Sequence, residues 1–398
     1  MGMALDQDKE KQIPPSLSPL ARLRMGRNDK NNPEKSKFWA AGWATAGAVV
    51  WASVAVLARV GVARIGVIEL VFLFAPLVIV PLGMEVGRVS GTALSPVSRR
   101  LGEWAQVLQP LGAALAVFAM LLPTGTWAGV AASGWLVVCG AAAAGGMVEL
   151  KLLFLRSPEN HERTGESPVP TRAVSKRALP TRVAEIALSI ARVDLVVGGA
   201  WLVASRIGMR PMGIQEPIGL LTAVHFHFAG FATAMIASCR ASLDRTLRNS
   251  GPAAEGGCPH MSGTGNGTWL RWVVLLVVGM PFLVAVGFVT SPALKMVAGV
   301  LFAASVAGLA LFVWNSHVED GRARGLLRAA AGAVFAGVVL AGVYAVADFV
   351  GSEALTIPRM ASTHGILNGF GFCLLGLLGW LVEWQGRDDR TLGSTGSG

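Results

Sequence analysis

The chain has 398 residues, of which 53% are hydrophobic and only 15% are charged, with a formal net charge of +10. Soluble domains carry about 25% charged residues, so this composition excludes an ordinary soluble protein and predicts an all-α, polytopic transmembrane helix bundle. Lys and Arg lie in short stretches between apolar segments, a pattern that indicates membrane topology and not nucleic-acid binding.

Residues 1–37 are polar and contain eight Lys and Arg residues, which predicts a disordered cytoplasmic tail and no cleavable signal peptide. A transmembrane domain over 38–385 is expected to follow. It contains ten apolar segments long enough to cross a bilayer as helices: 38–58, 65–87, 104–123, 126–148, 183–205, 217–239, 272–290, 293–315, 326–349 and 359–382.

Two interior stretches, 149–182 and 240–270, have the polar composition of cytoplasmic linkers, and 386–398 is expected to be a disordered tail. The four Cys residues are scattered, without a CxxC pair or a disulfide framework.

Positive charge predicts the orientation, because cytoplasmic loops carry an excess of Lys and Arg. With both termini in the cytoplasm, 27 of the 34 Lys and Arg residues lie on the inner side and six on the outer side. The remaining base, Arg192, lies within the fifth segment. The sequence therefore predicts a multi-pass protein of a bacterial-type plasma membrane.

Several ionisable or polar residues fall between mid-depth and the outer third of these segments. A charged side chain at the bilayer centre costs roughly 2.5–3.5 kcal/mol on insertion scales, so such residues need partners. We therefore expect a shared polar cavity lined by Glu69, Asp194, His225, His227, Tyr344, Asp348, His364 and Asn368.

Structural roles are the alternative for some of these residues. Asp194 and Arg192 are also compatible with structural ion pairs to other helices, and His225 and His227 with buried, hydrogen-bonded imidazoles. Two residues apart, the histidines point about 200° away from each other on a regular helix. They are therefore not expected to share a metal ion, and neither a metal nor another cofactor is predicted.

Four runs resemble the YndJ-like membrane protein family. The most specific is His-Phe-His-Phe-Ala-Gly-Phe at 225–231, and the other runs lie at 68–83, 210–217 and 364–372. The resemblance covers roughly 65–382. It extends more loosely to bacterial integral-membrane terpene cyclases that close prenylated indoles, which implies cyclisation of a prenyl chain. No carboxylate motif of the fungal membrane cyclases transfers to this chain.

Cyclisation started by a proton needs a general acid, an aromatic-lined apolar cavity and a base for the final proton. Glu69 and Asp194 fit the acid, because burial in a low-dielectric cavity favours the protonated carboxyl group. His225 and His227 fit the base or a group that orients the acid. The candidate substrate-binding residues are Trp201, Gln215, Phe226, Phe231, Tyr344, His364, Asn368 and Phe370.

Two other classes of function fit the same pattern. Intramembrane acids and histidines also form proton relays in transporters, and a cluster of histidines and acids suits a non-catalytic scaffold or pH sensor. The expected partners are a lipophilic prenyl or terpenoid substrate and membrane lipids, without nucleic acid, and the oligomeric state stays open.

Overall fold

The computed structural model describes residues 33–90, 92, 94–155, 179–249, 264–352 and 355–395. These residues are helical apart from short turns and one 3₁₀ turn. Ten long helices carry the fold: Pro33–Arg59 (α1), Val67–Val89 (α2), Pro96–Leu121 (α3), Thr126–Leu155 (α4), Leu179–Ile207 (α5), Ile218–Leu247 (α6), Thr264–Thr290 (α7), Pro292–Trp314 (α8), Gly321–Phe349 (α9) and Ile357–Arg387 (α10).

Each of these helices contains a stretch that is long and apolar enough to span a membrane, so the prediction of an all-α transmembrane bundle is confirmed. Capping residues determine where several of these helices begin. Helix α3 begins at Pro96, eight residues before the predicted apolar segment, because Pro suits the first helical position and the Ser95 side chain accepts a hydrogen bond from Ser98 N. Asp320 caps α9 in the same way.

The connections are shorter than the composition indicates. Helix α4 continues to Leu155 and α5 begins at Leu179, so the expected linker over 149–182 is helical at both ends. The expected linker over 240–270 is likewise helical up to Asn249 and again from Thr264. At the C-terminus helical structure continues to Thr395, within the predicted tail.

Because successive spans alternate in direction, α2, α6 and α10 run parallel to one another. We call the end of the bundle where these three helices begin the proximal end, and the opposite end the distal end. Helices α2 and α6 form the centre, with 72% and 78% of their apolar windows buried, compared with 17% for α1 and 22% for α7. Most side chains in the apolar windows of α2 and α6 are consequently buried against other helices.

Each of these three parallel helices contains a π-helical segment: Ala75–Ile79 in α2, Phe226–Ala232 in α6 and Leu367–Leu374 in α10. The three segments contact one another in the core of the bundle. In a π segment the backbone hydrogen bonds span five residues, and such segments are rare and frequent at functional sites. The convergence of the three π segments therefore marks this level of the bundle as a candidate functional region.

Two prolines, Pro76 and Pro81, lie within and just after the π segment of α2. Val80 N donates to Ala75 O, five residues back, and the next donor in this pattern would be position 81. Pro81 has no N–H, so the Pro76 carbonyl lacks a helical partner. The buried Gln109 side chain of α3 donates to that carbonyl through Nε2 at 2.6 Å, which satisfies it inside the membrane.

The direction of insertion remains a prediction from the charge distribution. We expect reporter fusions at the C-terminus and within 156–178, which lies outside the described residues, both to report the cytoplasm. A fusion within the turn between α5 and α6, near Met212, is the control that should report the opposite side. A cytoplasmic signal from the control or an external signal from the other two would contradict this orientation.

Candidate functional site

A polar cavity of about 190 Å³ lies at the proximal end, between the starts of α2 and α6 and the end of α5. Its apolar wall comes from α2, α6 and Pro217, and its polar groups are Glu69, Thr124, Ser205, Arg206 and Glu216. Among the described residues, Arg206 forms no ion pair with Glu69 or Glu216, although both carboxylates are close enough to interact with it electrostatically. The predicted residue Gln215 precedes the cavity in an exposed turn and does not line it.

His227 lies fully buried in the π segment of α6. Its Nδ1 is 2.7 Å from Ala223 O, and its Nε2 accepts a hydrogen bond from Trp135 Nε1 at 2.9 Å. A carbonyl oxygen only accepts, so Nδ1 carries the proton and the ring is neutral. The Phe72 ring packs edge-on at 5.3 Å. Both ring nitrogens are occupied, which gives His227 the structural role.

Asp194 of α5 is also fully buried, and neither of its carboxyl oxygens has a hydrogen-bond partner among the described residues. The side chain lies against Gly230 in the π segment of α6, where an added Cβ would come within 2.8 Å of Oδ2. Arg192, two residues earlier, donates to Ser98 Oγ at 3.1 Å and lies in the electrostatic range of Glu149. Arg192 therefore has polar partners on other helices, whereas Asp194 has no hydrogen-bond partner among the described residues.

His225, His364 and Asn368 form a further group, between α6 and α10. His225 is exposed although most of its neighbours on α6 are buried. His225 Nδ1 lies 2.7 Å from Leu221 O and His364 Nδ1 lies 2.9 Å from the carbonyl of Gly337 in α9. His225 Nδ1 therefore carries its ring proton, whereas His364 Nδ1 also lies 3.1 Å from Asn368 Nδ2, and Nε2 of each ring has no hydrogen-bond partner among the described residues. Asn368 Nδ2 donates to His364 O at 2.7 Å.

The predicted aromatic residues lie around the π segments. Phe370 of α10 stacks on Phe74 of α2 at 4.1 Å and meets Trp51 of α1 edge-on at 5.2 Å. Phe226 contacts Phe282 of α7, and Phe231 packs over Gly83. Two further candidates lie away from this cluster.

Trp201 is half-buried against the hydrophobic core. Tyr344 is a neighbour of Asp348, which forms an ion pair with Lys295 at 2.6 Å near the proximal end. Lys295 of α8 therefore neutralises the charge of Asp348.

The candidate residues occupy several separate places and not the single cavity that their depths suggested. Arg206, which lines the proximal cavity with Glu69, lies twelve residues from Asp194 along α5, roughly 18 Å at 1.5 Å per residue. His225 and His227 point to opposite sides of α6, so one faces α10 and the other faces α4. The depth of a residue in the membrane does not show which neighbouring helix its side chain faces.

Sequence reasoning missed Trp135 and Arg206. Trp135 lies in the middle of the Gly- and Ala-rich α4, far from the interfacial position where Trp is common, and that unusual depth was the available signal. Arg206 was counted as a base of an outer turn, yet its side chain turns into the cavity and donates to Leu122 O at 2.9 Å.

Comparison with known proteins identifies the family. The model of the YndJ-like protein family matches residues 70–372. The chain belongs to this family. A YndJ-like relative, the "Uncharacterized membrane protein YndJ" of Bacillus subtilis (strain 168), is 28% identical over 202 residues. These residues are 51% of this chain and 34% of the relative, so the match spans about a third of the length of that protein. No solved structure matches.

Apart from Glu69, which immediately precedes its start, the candidate residues lie within the range that matches the family model. The π segments of α2 and α6 lie inside the matched range as well, and that of α10 reaches its end. The YndJ-like core of this chain is therefore the multi-pass membrane bundle itself.

Proposed function

We propose that this membrane protein is a terpene cyclase that protonates a prenyl chain and closes it through a carbocation, with Asp194 as the proton donor. One observation carries the proposal: Asp194 is fully buried and has no hydrogen-bond or ionic partner among the described residues. A buried, unpaired carboxylate would cost several kcal/mol, so the protonated form is favoured. Asp194 thus holds a transferable proton in an apolar site.

The other buried acids of the described part make the contrast clear. Each of them has a charged or backbone partner: Arg88 for Glu85, Ser95 N for Glu149, Arg245 for Glu185, and Arg387 for Glu383. These four carboxylates stabilise helix ends and helix contacts. Asp194 has no comparable structural role, which supports a chemical one.

The surroundings suit a carbocation. The aromatic cluster of Trp51, Phe74 and Phe370 lies at the π segments of α2 and α10, which contact the π segment of α6 that Asp194 adjoins through Gly230. Aromatic faces attract cations, and a site without water protects a carbocation from capture. His225 is exposed, and in this proposal a prenyl chain dissolved in the bilayer enters the bundle beside it.

The proton balance closes without a co-reactant. The Asp194 O–H bond breaks as an alkene π pair of the substrate takes the proton, which leaves a carbocation on the neighbouring carbon. The π pair of the next alkene closes the ring, and the final proton returns to the Asp194 carboxylate, which restores the acid. The product is an isomer of the substrate.

The test uses membranes that contain the full chain, incubated with prenylated aromatic substrates such as prenylated indoles. We expect cyclised products of unchanged mass, and in D₂O one deuterium at the carbon that was protonated. Membranes without the protein are the control. Substrate consumption without deuterium incorporation, or no cyclisation of any prenyl substrate tested, would contradict the proposal.

A proton-coupled transporter is the second candidate, and the polar proximal cavity between interrupted helices favours it. Transporters bind substrates near discontinuous helices, and α2 and α6, which line this cavity, each contain a π segment about six residues further along. Uptake of a solute into proteoliposomes driven by a pH gradient, without chemical change of the solute, would support this function in place of cyclisation.

A further inference from the structure

We propose that the proximal cavity binds an ethanolamine phosphate group, with the primary ammonium between Glu69 and Glu216 and the phosphate on Arg206. This inference concerns a site separate from Asp194, and it stands whether or not the protein is a cyclase.

The cavity presents charges of both signs that do not pair directly. Glu69 has no hydrogen-bond partner among the described residues, and Glu216 accepts one bond through Oε2, from Leu220 N at 3.2 Å. Arg206 donates from Nη2 to Leu122 O, while its buried Nε has no partner. Acceptors for an ammonium and a donor for an anion therefore face the same space.

The presence of both signs of charge favours a zwitterion over a simple anion or a divalent cation. The two carboxylates match a primary ammonium and the guanidinium matches a phosphate, and a zwitterion carries both groups. A guanidinium binds phosphate oxygens through directed N–H groups. The hydroxyls of Thr124 and Ser205 line the same cavity and add further donors.

The size of the cavity limits the ligand to a small group. At about 190 Å³ it lies below the range of roughly 300–1,000 Å³ that is usual for ligand pockets. The apolar wall formed by Ile68, Pro217 and Leu220 suits the two methylene groups between the ammonium and the phosphate.

The position of the cavity suggests where such a group would come from. It lies at the ends of α2, α5 and α6, at the level where helices leave the hydrocarbon region. Lipid head groups lie at this level, so an ethanolamine phospholipid can supply the group, as can a soluble ethanolamine phosphate.

The experiment measures binding to the purified full chain in detergent, by native mass spectrometry and thermal stabilisation. The probes are phosphatidylethanolamine, phosphatidylcholine, phosphatidylglycerol and free O-phosphoethanolamine. We expect phosphatidylethanolamine to bind about tenfold or more tightly than phosphatidylcholine, because a trimethylammonium has no N–H to donate to the carboxylates.

Variants locate the binding. Glu216→Gln and Arg206→Gln should each weaken phosphatidylethanolamine binding by about tenfold. Arg206→Lys, which keeps the charge but loses the planar set of donors, serves if Arg206→Gln does not fold. Asp348→Asn is the matched control, because Asp348 is a carboxylate near the same end that pairs with Lys295 and does not line the cavity.

Competition experiments distinguish the two sources of the ligand. Competition by O-phosphoethanolamine identifies the head group alone as the ligand, and binding of the phospholipid without such competition identifies a lipid site. Equal affinity for phosphatidylethanolamine and phosphatidylcholine, or unchanged binding by folded Glu216→Gln and Arg206 variants, would overturn the proposal.

Discussion

Replacing Asp194 by Asn is expected to lower the rate of cyclisation by about 10²–10⁴-fold, the usual contribution of a general acid. Asn keeps the shape of the side chain and removes the proton that the carboxyl group transfers. Because Asp194 makes no hydrogen bond with the described residues, the amide has no partner to lose. The variant should therefore insert and fold with a thermal stability close to that of the parent chain. Product formation and the unfolding temperature in detergent are the two measurements.

Glu185→Gln is the matched control for this experiment. Glu185 is a buried carboxylate on the same helix, but Arg245 lies 3.9 Å from it. We expect this variant to lose some stability and to keep the rate of cyclisation within a few-fold. Full turnover by Asp194→Asn would show that another group supplies the proton.

Replacing His227 by Ala is expected to destabilise the bundle by roughly 3–5 kcal/mol, as truncation of a large, fully buried aromatic side chain does. The change leaves a cavity beside Phe72 and deprives the buried Trp135 Nε1 of its acceptor, which adds a cost of about 1–3 kcal/mol. The unfolding temperature in detergent should fall clearly. Any loss of cyclisation should follow the amount of folded protein.

A double-mutant cycle with Trp135→Phe measures the coupling between His227 and Trp135, which comprises their hydrogen bond and their ring contact. If the two residues act together, the effects of His227→Ala and Trp135→Phe should sum to more than the effect of the double variant, since contacting residues couple by about 0.5–3 kcal/mol. A His227→Ala protein of normal stability that has lost cyclisation would instead make His227 a chemical participant.

The number and type of the helices could be predicted because the membrane leaves few alternatives. An apolar run of about 20 residues without water to satisfy its backbone must be helical. Helix ends were less accurate where capping decides them. Ser95 and Pro96 start α3 among charged residues that the hydropathy of the sequence assigns to a loop.

The candidate site could be predicted by residue type and depth, but not by direction. His225 and His227 lie near the same depth, yet one faces α10 and the other hydrogen-bonds Trp135 of α4. Which helices are neighbours depends on packing between segments far apart in sequence, and no local pattern encodes it. The absence of hydrogen-bond partners for Asp194 among the described residues likewise depends on which side chains the neighbouring helices place around it.

The π segments have a consequence for how the length of this chain can vary. A π segment holds one residue more than the α-helical turn that it replaces. Deleting one residue from Leu367–Leu374 would restore a regular helix and leave the faces of both halves of α10 in place. The same deletion a turn later would rotate everything beyond it by roughly 100° and turn the buried Trp380 out of the core. Insertions and deletions among relatives should accordingly concentrate at these three segments.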